Sequence, residues 1–170
     1  MGIVPYECVG STPEDNNMQP TIVKANMADL DLLVQTRIAT LRAANGLCAQ
    51  ADMSRVVAES RAYYKAHLGR EHIAYLAYDG GEVIANGGIS FYGVMPTYHN
   101  PTGRKAYIMN MFTHPDYRRR GIARRMLDLL VGEARGRGVL ELTLEATEAG
   151  RLFYEKYGFT PLETEMILPL

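Results

Sequence analysis

The stretch Met111-Phe-Thr-His-Pro-Asp-Tyr-Arg-Arg-Arg-Gly-Ile-Ala-Arg-Arg-Met126 decides how this chain is read. The run Lys105–Thr113 that leads into it has the apolar content of a strand buried on both faces. Pro115, with no amide hydrogen to give a ladder, ends that strand. Beyond the basic segment, Ile122, Met126, Leu129, Leu130 and Ala134 recur at helical spacing, which predicts an amphipathic helix from Arg120 to Arg137. Gly121 therefore stands at the mouth of a helix. Such an end carries four backbone N–H groups without intrahelical partners and a partial positive charge, and it binds phosphate readily. A glycine there lets the backbone approach a pyrophosphate with no Cβ in the way, and the small Ala123 extends that allowance. The surrounding arginines can add charge-assisted contacts. The segment is not a Walker A loop, because the Gly-Lys-Ser/Thr end is missing. Only one of the three glycines of a dinucleotide fingerprint is present.

Charge sharpens this reading. The chain has 170 residues, 47% of them hydrophobic, and a formal net charge of −1. That length suits a single domain, and the apolar content excludes disorder as its dominant state. A near-neutral total disfavours a general nucleic-acid binder or a polybasic membrane protein. Yet Arg118, Arg119, Arg120, Arg124 and Arg125 fall within eight residues, leaving 13 Lys+Arg against 19 Asp+Glu elsewhere. Aromatics interleaved with the arginines would suit nucleic acid, and only Tyr117 qualifies. The expectation is an anion site set in an acidic remainder.

Cys8 and Cys48 make no disulfide framework, and no apolar run approaches the roughly 20 residues of a membrane span. Residues 1–20 lack the basic region and long apolar core of a secretory signal and read as a loosely docked arm. A single domain over 21–170 and a cytoplasmic location are expected. His72, His99 and His114 show no metal-ligand spacing, so no metal site is expected. The serines at 11, 54, 60 and 90 have no nucleophile-elbow context.

The elements around the central stretch follow from pattern. A short apolar segment at Thr21–Lys24 precedes Asn26 and Asp29, spaced as a helix cap. Leu30, Leu33, Val34, Ile38 and Leu41 continue at helical spacing to a stop at Asn45-Gly46. A second helix is predicted from about Ala51 to Leu68. His72–Tyr78 and Glu82–Tyr92 flank Asp79-Gly80-Gly81, a hairpin signal. Asn100-Pro101-Thr102-Gly103 is a further turn. Val139–Glu145 alternates as a strand, Thr147–Tyr157 is a short helix closed by Gly158, and Phe159–Leu168 leaves room for one or two short strands. Strands joined through a helix lie parallel by a right-handed crossover, whereas the earlier strands form an antiparallel meander. The fold class is therefore α/β with one mixed sheet, mostly antiparallel with one parallel pair, and helices on both faces.

The basic segment resembles the acetyl-CoA loop of the GCN5-related N-acetyltransferases. Their pattern Gln/Arg-x-x-Gly-x-Gly/Ala is matched by Arg118-Arg119-Arg120-Gly121-Ile122-Ala123, and their Tyr-Glu-Lys-x-Gly-Phe by Tyr154-Glu155-Lys156-Tyr157-Gly158-Phe159. Thr113-His114-Pro115 matches the end of the preceding strand. The order of elements agrees over roughly residues 21–168. The resemblance implies that amides from Arg119 to Arg124 cradle the CoA pyrophosphate. It places main-chain groups of Met111, Phe112 and Thr113 along the pantetheine arm, where two parallel strands splay apart. It further implies that Tyr154 protonates the departing thiolate and that a backbone N–H at Phe112 or Thr113 stabilises the oxyanion. Glu145, ending a strand beside the splay, is the candidate base, with a water relay as the other route.

Asn110 interrupts an apolar strand, as a bulge, a polar ligand contact or a hydrogen-bonded core amide would. Phe91–Pro101, rich in large side chains, is expected either to line the acceptor site with Arg42 and Asn45 or to pack on its own sheet. The resemblance implies that the acceptor is an amine, on a small molecule or a peptide. The acidic remainder favours a cationic one. The alternatives in other classes are a non-catalytic acyl-CoA-binding regulatory module and an RNA-binding domain using the arginines. Homodimers are common among proteins of this kind.

Overall fold

A computed structural model describes residues 19–163 and 165–169. The arm expected over residues 1–20 falls almost wholly outside the described residues. In chain order the elements are β1 (Thr21–Lys24), α1 (Leu30–Asn45), α2 (Ser54–His67), β2 (His72–Asp79), β3 (Glu82–Gly93), β4 (Arg104–Thr113), α3 (Ile122–Gly136), β5 (Glu141–Leu144) and α4 (Glu148–Tyr157). The strands form one five-stranded sheet in the order β1-β2-β3-β4-β5. Neighbours are antiparallel except β4 and β5, which run parallel across the α3 crossover.

Local chemistry sets the boundaries. Asn26 and Asp29 form a reciprocal cap, with Ala28 N–H donating to Asn26 Oδ1 at 2.8 Å and Asn26 N–H to Asp29 Oδ2 at 2.8 Å. One 3-10 turn, Met27–Asp29, intervenes before α1 begins. Gly46 ends α1 in the left-handed region, with its N–H on Arg42 O. Asp79 and Glu82 pair across the hairpin, and Gly80 and Gly81 take φ of 56° and 90°, as its two-residue turn requires.

Helix α3 packs on one face of the sheet, burying Met126, Leu127 and Leu130 against Ile73, Ala77, Ile89 and Ile108. Each such side chain contributes about 1.5–3 kcal/mol by leaving water. The opposite face is covered by α1 and α2, where Leu33, Val34 and Tyr64 close over Ala74 and Leu76.

Two expectations are corrected. Strand β4 is buried on one face only: Ala106 and Ile108 are enclosed, whereas Tyr107, Met109 and the residues after them are half-buried. The reason is that α3 encloses Ala106 and Ile108, whereas the core formed by α1 and α2 centres on Ala74 and Leu76 of β2 and includes no residue of β4. The described residues beyond Tyr157 form no strand. Pro161 and Pro169 remove two ladder donors there, and Met166, Ile167 and Leu168 lie exposed.

Candidate active site

The parallel pair is brief. It runs from Lys105 opposite Glu141 to Ile108 opposite Leu144, after which β5 ends and β4 continues alone to Thr113. The strands part immediately before Asn110. There Gly88 pairs with Met109 and Asn86 with Phe112, so Asn110 and Met111 together face Gly87 as a bulge. Asn110 takes φ of 57°, a left-handed conformation that asparagine tolerates better than most residues. Of the readings open for Asn110, the bulge is the one the backbone adopts.

A buried relay holds this bulge. Asn86 Nδ2 donates to Asn110 O at 2.6 Å and to Thr40 Oγ1 at 3.2 Å, and the Thr40 hydroxyl donates to Thr36 O at 2.8 Å. Asn86 and Thr40 are both buried, so leaving these groups unpaired would cost about 1–3 kcal/mol each. Asn110 Oδ1, by contrast, is buried with no donor among the described residues. On the α3 side Met111 packs against Gly87, where an added Cβ would come within 2.7 Å of its sulfur.

The basic loop lies directly after β4. Gly121 precedes α3 with φ of 77° and Arg119 has φ of 61°. An added Cβ at Gly121 would meet no protein atom, so the glycine serves the backbone angle and keeps the helix mouth open. Among the described residues, the amides of Arg119 to Arg124, those of Gly121, Ile122 and Ala123 included, have no acceptor, and no side chain caps the helix.

The arginine side chains differ. Arg118 Nε donates to Thr113 O at 3.2 Å, and the Arg120 guanidinium stands 5.0 Å from the Tyr117 ring centroid. Arg124 lies 4.6 Å from the Tyr157 ring centroid and 3.6 Å from Asp128, so its side chain turns toward α4. Arg125 reaches back to Pro20 O. Among the described residues only Arg124 of the five has a carboxylate within 4.0 Å.

Across the splay, Thr147 caps α4 and places Tyr154 against Phe153 and Phe159 at 5.1 and 5.9 Å between ring centroids. Burial, then the neighbouring Tyr107, pushes the Tyr154 hydroxyl up to about 12, so it keeps its proton at neutral pH. Glu145 is exposed just past the end of β5. It neighbours the Tyr107 hydroxyl, whose pKa is raised first by burial and then by the Glu145 charge.

Tyr107 carries no signal in the sequence, because a strand read as buried on both faces has no open side. Arg37 falls between Leu33 and Thr40 on the sheet-facing side of α1, at i+4 and i−3, and that spacing was the available signal. Arg42 and Asn45 do not join the site. Arg42 donates to the carbonyls of Cys48, Ala49 and Ala51, and Asn45 to Leu41 O, so both fasten the α1–α2 connection. The connection after Gly93 lies at the start of β4, the opposite end from Thr113, and Met95 and Tyr98 project from it into solvent.

These features meet in one place: a parallel pair that opens at a bulge, beside a helix N-terminus with free amides. A family model, the acetyltransferase (GNAT) domain, matches residues 70–161, a span that holds β2 to β5, the basic loop and Tyr154. The chain belongs to the GNAT acetyltransferase family. Its fold is that of a predicted acetyltransferase from Clostridium acetobutylicum solved with acetyl-CoA, at 36% identity and a TM-score of 0.81 over 89% of this chain and 96% of that one. A GCN5-related N-acetyltransferase from Ralstonia eutropha JMP134 superposes with a TM-score of 0.73 at 25% identity, over 89% of this chain and 99% of that one. An aminoglycoside acetyltransferase from an uncultured soil metagenomic sample shares the fold alone, at 19% identity and a TM-score of 0.68, over 90% and 99% of the two chains. No curated protein matches the chain. Among the described residues of this GNAT protein, no helix is long and apolar enough to cross a membrane.

Proposed function

We propose that this protein is a cytoplasmic N-acetyltransferase that passes the acetyl group of acetyl-CoA directly to an amine. The observation that carries the reading is the opening of β4 from β5 at the Asn110 bulge, next to the free amides of residues 119–124. Those amides suit a pyrophosphate, and the Arg119 and Arg120 side chains add positive charge beside it. The bared edge of β4 at Met111, Phe112 and Thr113 supplies peptide donors and acceptors to an extended, amide-bearing arm. Support also comes from the Clostridium relative, which was solved with acetyl-CoA.

In the reaction a neutral amine nitrogen forms a bond to the thioester carbon, and a main-chain N–H at Phe112 or Thr113 stabilises the oxyanion. The carbon–sulfur bond then breaks. Tyr154, still protonated, gives its proton to the leaving thiolate. Glu145, or water beside it, takes the proton lost by the amine. Holding both reactants in one cleft supplies much of the remaining rate.

The experiment has two parts. Acetyl-CoA at saturating concentration should raise Tm by mass action, and a screen of amines should show CoA thiol release. Tyr154→Phe should then lower kcat by about 10²- to 10⁴-fold while leaving the acetyl-CoA shift intact. No shift at millimolar acetyl-CoA removes the reading. A shift without thiol release from any amine would instead favour a regulatory acyl-CoA-binding module.

A further inference from the structure

Two unpaired features of this chain complement each other. The sheet ends at β5, which bonds to β4 on one side only. Among the described residues, no backbone group outside β4 bonds to Glu141–Leu144. The second feature is the stretch after α4. Phe159 still packs beside Tyr154 and Tyr157, but Met166, Ile167 and Leu168 are 98%, 90% and 81% exposed and belong to no strand. Three consecutive large aliphatic side chains held in water are unfavourable, through the same hydrophobic term that builds the core.

The two edges of the sheet differ in how they are guarded. At the far edge, β1 is led in by Pro20 and ends on Lys24, whose ammonium reaches Glu133 at 2.6 Å. Proline and lysine are residues that keep an edge from recruiting another strand. β5 carries neither. It reads Glu141-Leu142-Thr143-Leu144, its one charge is taken up by Lys105 on β4 at 2.5 Å, and Leu140 just before it is exposed. Such an edge offers ladder donors and acceptors to an incoming extended segment.

Within one chain these features do not meet: the segment stays in solvent and the β5 edge stays bare. A second copy supplies what each lacks. One chain carries both halves, so a two-fold axis satisfies both at once and closes, with each copy donating one segment and receiving one. A different protein would fill one half and leave the other unpaired. We infer that the Met166–Leu168 segment of one copy adds as a strand to the outer edge of β5 in a second copy, and the reverse, making a strand-exchanged dimer. Main-chain hydrogen bonds to β5 hold the segment, and its alternate side chains cover Leu140 and the half-buried Leu142 and Leu144. The assignment stands apart from the acetyl transfer proposed above.

The test uses the full chain. Sedimentation equilibrium at micromolar concentration should give twice the mass of one chain. Ile167→Asp changes a side chain that is exposed in the single chain, so it should leave the far-UV circular dichroism unchanged. It should raise the dimer dissociation constant by about 100-fold or more, because both exchanged segments lose a buried aliphatic side chain. Met95→Asp, an equal change at another exposed apolar position, should leave the dimer intact. Cross-linking separates exchange from folding back. With Cys8→Ser and Cys48→Ser, Leu140→Cys and Ile167→Cys joined by a short bismaleimide should give a product of two-chain mass. A monomer at every concentration, a dimer that survives Ile167→Asp or dissociates only with Met95→Asp, or a cross-link closed within one chain would each overturn the exchange.

Discussion

Against α3, strands β2, β3 and β4 present Ile73, Ala77, Ile89, Ala106 and Ile108, all buried, to Met126, Leu127 and Leu130. Against α1 and α2 the same strands present His72, Asn86, Ser90 and Tyr107. The first face is almost wholly apolar, with the Tyr75 hydroxyl donating to Glu133 Oε1 at 2.8 Å near its margin, and derives its stability from area and packing. On the second, polar atoms are individually tied: Ser90 Oγ lies 2.9 Å from His72 Nδ1 and 2.6 Å from the Tyr63 hydroxyl, and Asn86 joins Thr40 to Asn110 O. The contrast shows why one sheet can be both rigid and reactive. Packing on the α3 side holds the strands, so the other side can keep polar groups at fixed positions without supplying most of the folding energy.

Three measurements would break or sharpen that comparison. The largest effect is expected on the dry face. Leu127→Ala should cost about 2–5 kcal/mol in denaturant unfolding, with activity per folded molecule preserved at low temperature. A loss under about 1 kcal/mol would mean that α3 does not carry the stability ascribed to it.

Next comes His72 on the polar face. Burial, then the charges of His67 and Arg37, lowers its pKa from 6.5 to about 4. The unfolded chain takes up this proton near pH 6.5 and the native ring only near pH 4. Between those values the unfolded state binds more protons, so stability should fall on acidification, by about 3 kcal/mol in all. Unfolding free energy measured across that window should carry the slope, and the His72 ring resonances should show no titration above about pH 5. A ring that titrates near 6.5 would show that the polar face is wet.

Asn86→Ala is the smallest of the three in stability, about 1–3 kcal/mol for the stranded Asn110 carbonyl. Its signature should be a fall in kcat larger than the change in acetyl-CoA affinity, because the bulge would be free to relax. Unchanged kcat would make the Asn86 relay merely structural.

The sequence disclosed the two faces unequally. Helix α3, the Gly121 mouth and the Thr147–Gly158 helix were legible because period, glycine and cap occur within a few residues of one another. Asn110 was legible as an interruption, since a polar residue in an apolar strand needs a reason. Arg37 and Tyr107 were not. Their surroundings depend on how α1, α2, β4 and the end of β5 come together, which no single stretch of sequence states. The final segment misled for the opposite reason: Met166, Ile167 and Leu168 have strand-like apolarity, but apolarity does not specify what a strand pairs with.

The bulge at Asn110 has one more consequence, which is one of parity. Before it, the even residues Ala106 and Ile108 point toward α3; after it, the odd residue Met111 does. The inserted residue reverses the phase of the strand's alternation at the point where the strand leaves its parallel neighbour. A single strand can therefore contribute to the interior on both sides of that point while changing which of its residues border the opening. Flattening the bulge with Asn110 kept would turn every later side chain of the strand to the other face, whereas deleting Asn110 would leave them where they are.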